Sequence, residues 1–426
     1  MKRFFLLGLV ATSLGAQTTI DVPVVDLPYN AAHGLRAPSM QQSLGLSAAM
    51  ADAAHLAIQD SLEGHPFLMK LSVGGFDILT NFIVPLPLSD TWLHEEWHRA
   101  VMGWRGIDSF NDVYHFKLAP DSIAVSHVRD EDLIRLKRDH PADLVRLGEA
   151  GIEGEHALVE RLEKERFFGD SRAWHLPLYW LVKLGAQAYV GSSTDDEVNG
   201  DVDRMNAEDG PSIKRRDFTG PDFTGWMYDL SRPNEPYEAR GIHPSGVGID
   251  RYRKPADLTQ HEKDFLARQG HLQWINFADS NLLGIDGFGH RVRWNVTGAH
   301  LLTSFGYTVD ANVFLRAAER NVFVVIHRYT NDARSFPGLD AELLGARVTP
   351  RLALWSQPER FADRGGAFGG LASVRIAMAR GTYVEVVGKT KGWVSGNEAL
   401  GKSLAVRLGV TRVMDRRTSP ARRSPG

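Results

Sequence analysis

An α+β chain is predicted, with a helical N-terminal unit bearing an HExxH string followed by a C-terminal antiparallel β-sheet or β-barrel. Two stretches of different period carry this. Up to about residue 168 apolar side chains recur at helix spacing, whereas from about residue 289 they alternate with polar ones, as in half-buried strands. Between them, residues 191–260 are polar and rich in Gly, Pro and Asp, which reads as a loop-rich excursion. With 426 residues, 43% of them hydrophobic, the chain can bury a sizeable core in two or three units. Its 41 Gly and 20 Pro are close to ordinary usage, which excludes collagen-like and wholly disordered classes.

The elements follow in chain order. Lys2 and Arg3 precede an apolar run from Phe4 to Leu14, with small Ser13 and Gly15 at its end, so residues 1–16 read as a signal peptide. An extended stretch opens the mature chain, and an Ala-rich helix is expected over 40–61. Residues 77–168 are helical by pattern, with Leu133, Leu136, Leu144, Leu147, Leu158 and Leu162 at core spacing and Pro141 interrupting them. Residues 71–88 and 173–190 are apolar but carry charges and prolines, so both read as buried or interfacial helices rather than membrane spans. The helical unit thus runs over 17–190, and the polar excursion over 191–288.

Residues 289–414 form the β-rich unit. In 346–355, Val348, Leu352 and Leu354 share one face, while Arg347, Thr349 and Arg351 share the other. Segments 372–380, 382–391 and 403–413 repeat the alternation between Gly-rich or polar turns. Residues 415–426, with four arginines, read as a disordered basic tail.

Composition narrows the chemistry. Lys and Arg total 49 against 52 Asp and Glu, a net charge of −3, so no global field draws the chain to nucleic acid. The chain has 0 Cys, which removes disulfides, thiolate zinc sites, Fe–S clusters and cysteine nucleophiles. A transition-metal site must therefore use carboxylates and some of the 16 His. Export without cysteine suits a bacterial envelope, periplasm or outer membrane.

The most informative string is His94-Glu95-Glu96-Trp97-His98. On a helix, residues i and i+4 share a face, so both imidazoles can reach one Zn2+ ion. Glu95 can then take a proton from the ion's water. Ser89 or Asp90 supplies a helix cap after Pro87, and Leu93, Trp97, Val101 and Trp104 supply an apolar stripe. The plain alternative is a helix whose His and Glu face solvent. A second, weaker string, Asp195-x-Glu197-x-Asn199-Gly200-Asp201-x-Asp203, has the oxygen spacing of a calcium loop, with a flexible acidic loop as its plain alternative.

The HExxH string resembles the zincin metallopeptidases. It departs from them at Glu96, where that family usually has an apolar residue, and no third His follows in metzincin spacing. The resemblance implies a third ligand from another helix, as in the membrane-associated Glu-zincins. Within Gly148–His156, Glu149, Glu153 and His156 share a helical face, while Ala150, Gly151 and Gly154 permit close helix approach. Glu153 is the expected ligand, with Glu149 and His156 as alternatives. The alternation over 289–414, and 383–411 in particular, is similar to the last hairpins of bacterial outer-membrane β-barrels. Together these imply an envelope-associated zinc-dependent hydrolase, a metallopeptidase acting on peptide or protein and associated with a membrane. The competing reading is a non-catalytic outer-membrane barrel or envelope structural protein.

Overall fold

Eight consecutive strands and one from the N-terminal region make a single antiparallel sheet in the computed structural model, which describes residues 18–33, 37–120, 123–169, 173–318, 320–345 and 347–414. The expected signal peptide at 1–16 and basic tail at 415–426 lie outside the described residues. The chain begins with β1 (Thr18–Leu27), the short α1 (Tyr29–His33) and α2 (Met40–Ser61), the Ala-rich helix. A capping box between Ser39 and Gln42 starts α2. Next come α3 (Pro66–Ile78), prolonged by a π-turn over Leu79–Ile83, and α4 (Asp90–Trp104). The two-residue strands β2 (Phe110–Asn111) and β3 (Val125–Ser126) pair with each other. Pro141 separates α5 (Asp130–Asp139) from α6 (Pro141–Phe168), sitting in the first turn of α6, where a missing N–H costs nothing.

All six leucines expected at core spacing are buried, at 6% exposure or less. They pack with Trp92, Trp97 and Val101 of α4 and with Leu178 and Val182 of α7 (Leu176–Ser192). The segment expected to be loop-rich holds three further helices: α8 (Glu197–Asp209), α9 (Asp222–Ser231) and α10 (Gln260–Leu272). Phe223, Trp226 and Met227 of α9 pack against Phe265 and Leu266 of α10, with Val145 and Ile152 of α6 in the same cluster. The acidic string from Asp195 to Asp203 is neither a flexible loop nor a calcium loop from Glu197 on, where it is part of α8 and Asp203 pairs with Lys254 at 2.8 Å.

The sheet comprises β4 (Val292–Thr303), β5 (Gly306–Ala317), β6 (Arg320–Thr330), β7 (Ser335–Leu344), β8 (Val348–Gln357), β9 (Ala367–Ala377), β10 (Thr382–Lys389) and β11 (Ser403–Met414), closed on one side by β1. Its order is β1-β11-β10-β9-β8-β7-β6-β5-β4, so it is an open sheet and the expected barrel is not formed. The two edges find other partners. Along β4, Gly298 N donates to Ala278 O at 2.8 Å, and Trp294 exchanges two backbone bonds with Phe288. Along β1, Val24 O accepts from Gln42 Nε2 at 3.0 Å and Asp21 O accepts from Arg161 at 2.6 Å. Edge groups satisfied in this way do not need each other.

The faces of the strands are as the alternation predicts. Val348, Leu352 and Leu354 point outward, while Arg351 points inward and pairs with Asp340 at 2.6 Å. Arg347, at the strand's start, is exposed. The inner side mixes apolar clusters with paired charges: Asp310 meets His327 at 2.9 Å, Asp21 meets Arg375 at 2.8 Å, and Lys164 of α6 meets Glu342 at 2.7 Å. A cavity of about 280 Å³ lies between these strands and the C-terminal half of α6.

Candidate metal centre

A helix that is buried on nearly all sides must find partners for every polar side chain it carries. Helix α4 is such a helix, with His94, Glu95, Glu96, His98 and Arg99 all buried, so the solvated-face alternative does not hold. Ser89 caps it, accepting from Trp92 N at 3.3 Å. Glu96, the residue that departs from the zincin pattern, faces away from the histidines. Arg99 holds it at 2.6 and 2.8 Å and Asn111 donates to it at 3.0 Å.

The two histidines converge with Asp222 of α9. One ligand-capable atom from each of His94, His98 and Asp222 lies within 4.8 Å of the others. Asp222 Oδ2 is 3.1 Å from His94 Nε2 and 3.6 Å from His98 Nε2. The outward ring nitrogens are fixed in turn: His94 Nδ1 meets Glu155 Oε1 at 2.6 Å, and His98 Nδ1 donates to Leu147 O at 2.6 Å. This is how metal-binding imidazoles are normally oriented. Tyr189 of α7 donates to Asp222 Oδ2 at 3.1 Å. Asp222 also opens α9, where the helix dipole favours an anion.

Glycines let α6 approach. A Cβ on Gly151 would collide with both His94 Nε2 and His98 Nε2, and one on Gly154 would come to 2.8 Å from the Trp97 ring. Gly151→Ala is therefore expected to weaken metal binding by at least about tenfold, the scale on which displaced ligands lose affinity. Because alanine is the better helix former by about 1 kcal/mol, the helix itself should persist. Zinc titration with circular dichroism checks both, and unchanged affinity would show that the imidazoles do not need this space.

The local electrostatics fit a cation. Burial opposes charge on His94, yet its hydrogen bonds to Asp222 and Glu155 hold its pKa well above the usual imidazole range. Burial also opposes the Asp222 carboxylate, but the two imidazoles hold it well below the usual range. Glu95 has too little support: burial pushes it up to about 8, with His94 pulling the other way and Asp222, Asp112 and Glu96 adding repulsion. His98 Nε2 is buried and has no hydrogen-bond partner while aimed at the same point. An orphaned imidazole nitrogen beside an anionic carboxylate, with its ring already oriented, fits a divalent metal of the zinc type.

Of the residues expected from sequence, His94, Glu95 and His98 lie together at this point. Glu153, Glu149 and His156 do not. At about 100° per residue they stand roughly 140–160° round α6 from Gly151, which faces the histidines. Glu149 and Glu153 are instead held by Arg146, and His156 by Gln273 at 3.3 Å. Asp222 and Glu155 take part in their place. Glu155 lies only about 40° from Gly151. Asp222 follows Gly220-Pro221 at the head of an apolar helix, and that helix-start signal was available in the sequence.

Comparison of the chain with protein-family models, with curated proteins and with solved structures finds no match. The centre is thus defined by its own geometry: a buried His-His-Asp group that can bind a metal.

Proposed function

We propose that the chain is a zinc-dependent hydrolase in which His94, His98 and Asp222 hold the ion and Glu95 is the general base, with peptide or protein amides as substrate. The observation that carries this reading is the convergence of two oriented imidazoles and one carboxylate beside a fourth residue, Glu95, that is not needed as a ligand. When bound, such an ion supplies Lewis-acid polarisation of a carbonyl and a lowered pKa for water. The protein's own residues do the rest. Glu95 accepts a proton from the attacking water and carries it toward the leaving amine. Glu155 and the Leu147 carbonyl keep the imidazoles in orientation, and Tyr189 steadies Asp222. Tyr189 is 37% exposed and Glu155 half-buried, so the centre is approached from their side.

A second reading, a metal with a purely structural role in an envelope protein, draws support from the near-complete burial of His98, at 1%. One variant separates the two. Glu95→Gln is expected to keep the zinc and lower peptide hydrolysis by about 10²–10⁴-fold, the usual contribution of a general base. Hydrolysis unchanged in a zinc-replete variant removes Glu95 from catalysis. A zinc-replete wild type with no hydrolytic activity on any unfolded protein substrate favours the structural reading. Export to a bacterial envelope rests on the sequence of residues 1–16 and belongs to the same proposal.

A further inference from the structure

Soluble sheets bury apolar side chains on one face and expose polar ones on the other. Here the exposed face is apolar, and the inner face holds both apolar clusters and most of the charges. Among the described residues, the outward side of β4 to β10 carries only two charged side chains, Arg320 and Arg328, at the two ends of β6. One cross-strand row runs Val296, Val313, Val324, Ala341, Leu352 and Ala372, and a neighbouring row runs Ile326, Leu339 and Leu354. Leu352 is 55% exposed, Ile326 54% and Leu339 49%. The charges that a soluble sheet would present to water are paired on the inner side around the cavity.

The apolar surface continues beyond the sheet. Exposed Leu283 and Phe288 lie beside β4, and Trp180 of α7 donates to Leu282 O at 3.2 Å. Helix α3, packed on α7, exposes Phe67, Leu71, Leu79 and Phe82, the last two from its π-turn. No described helix is long and apolar enough to cross a membrane. The sheet edges are bonded to other parts of the chain, which removes the main obstacle to placing an open sheet against hydrocarbon.

The turns at one end of the sheet add the second observation. Exposed Arg320, Arg347 and Arg380 stand in or beside the β5–β6, β7–β8 and β9–β10 connections, against one acidic residue, Glu319, in the same stretches of sequence. We infer that the outward face of the sheet and the exposed apolar residues of α3 contact the hydrocarbon of a lipid bilayer, with the arginine end against anionic headgroups. A second copy of the chain is the poorer occupant. It would cover only one side of a surface that continues from the sheet to α3.

Flotation of the full chain with vesicles tests this, using phosphatidylcholine alone and phosphatidylcholine with a minority of phosphatidylglycerol. The wild type is expected to float with both and to prefer the anionic vesicles. Ile326→Glu/Leu339→Glu/Leu354→Glu should reduce binding to both by at least about tenfold, since charge on a lipid-facing strand is strongly disfavoured. Arg320→Gln/Arg347→Gln/Arg380→Gln should remove the anionic preference, roughly a hundredfold for three cations, and leave binding to phosphatidylcholine intact. All of these positions are exposed, so unchanged circular dichroism and zinc content are expected of both variants. A monomer that floats with neither vesicle overturns the inference. So does a dimer that the three glutamates dissociate, which would give the face to a second copy. Neither result bears on the metal centre.

Discussion

Replacing His94, His98 or Asp222 by alanine is expected to lower the zinc content of the purified protein from about one ion per chain to less than about a tenth of that. Each of the three converging atoms is expected to be needed, because two protein ligands hold zinc far more weakly than three. Glu155→Gln should weaken binding by a smaller margin, about 10–100-fold, since it orients His94 without supplying a ligand. The decisive comparison is with Glu153→Gln, which should leave zinc binding unchanged, because Glu153 is held by Arg146 and by Gly396 N at 2.8 Å on the far side of α6. Mass-spectrometric metal content of folded protein, judged by circular dichroism, measures all five. Full zinc in Asp222→Ala, or loss confined to Glu153→Gln, would return the third ligand to α6.

The largest effect on stability is expected at Arg146. Its guanidinium is fully buried, bonds Glu149 at 2.7 Å, bonds Glu153, and lies 5.3 Å from the Trp393 ring. Trp393 Nε1 in turn donates to Glu149 at 2.8 Å, so the group ties α6 to the segment between β10 and β11. Burial pushes Glu149 up to about 8 even though Arg146 pulls it down, with Glu153 repelling it. Arg146→Ala leaves two buried carboxyls without their cation, and such a break costs about 3–5 kcal/mol. Arg146→Met/Glu149→Gln/Glu153→Gln should recover much of that loss, because no buried charge is then stranded. Urea denaturation reads both values. A loss under about 1 kcal/mol in Arg146→Ala would mean that water reaches the group.

Much of this architecture could be read from the sequence where local physics decides. The capped, apolar-striped helix around His94, the break at Pro141 and the alternation from Val348 to Leu354 all depend on residues close in sequence. Closure did not. Whether β4 meets β1 depends on Ala278, Phe288, Gln42 and Arg161 reaching the edges first, and no period in the strands encodes that. The carboxylate that meets the two imidazoles is hidden for a related reason. Glu149 and Glu153 share a face with each other, but sequence spacing does not say which face of α6 meets α4. Gly151 holds the answer, since only the face without side chains can come so close to two imidazoles. Asp222 was masked by the polar character of its surroundings, although the apolar Phe223, Trp226 and Met227 after it mark a packed helix.

The pairing of β1 with β11 constrains how the chain can be made. β1 ends at Leu27, and its antiparallel partner begins only at Ser403. A ribosome therefore releases the first strand long before the last one exists, and the ladder between them cannot form during most of synthesis. Until then β1 has only helices α1, α2 and α6 to lean on, and its other edge stays open to wrong partners. Joining the two ends is also the most distant contact in the sheet, which makes it the slow step in topological terms. The sheet is thus latched only once its last strand has emerged, and a holding factor that shields β1 has a defined interval in which to act.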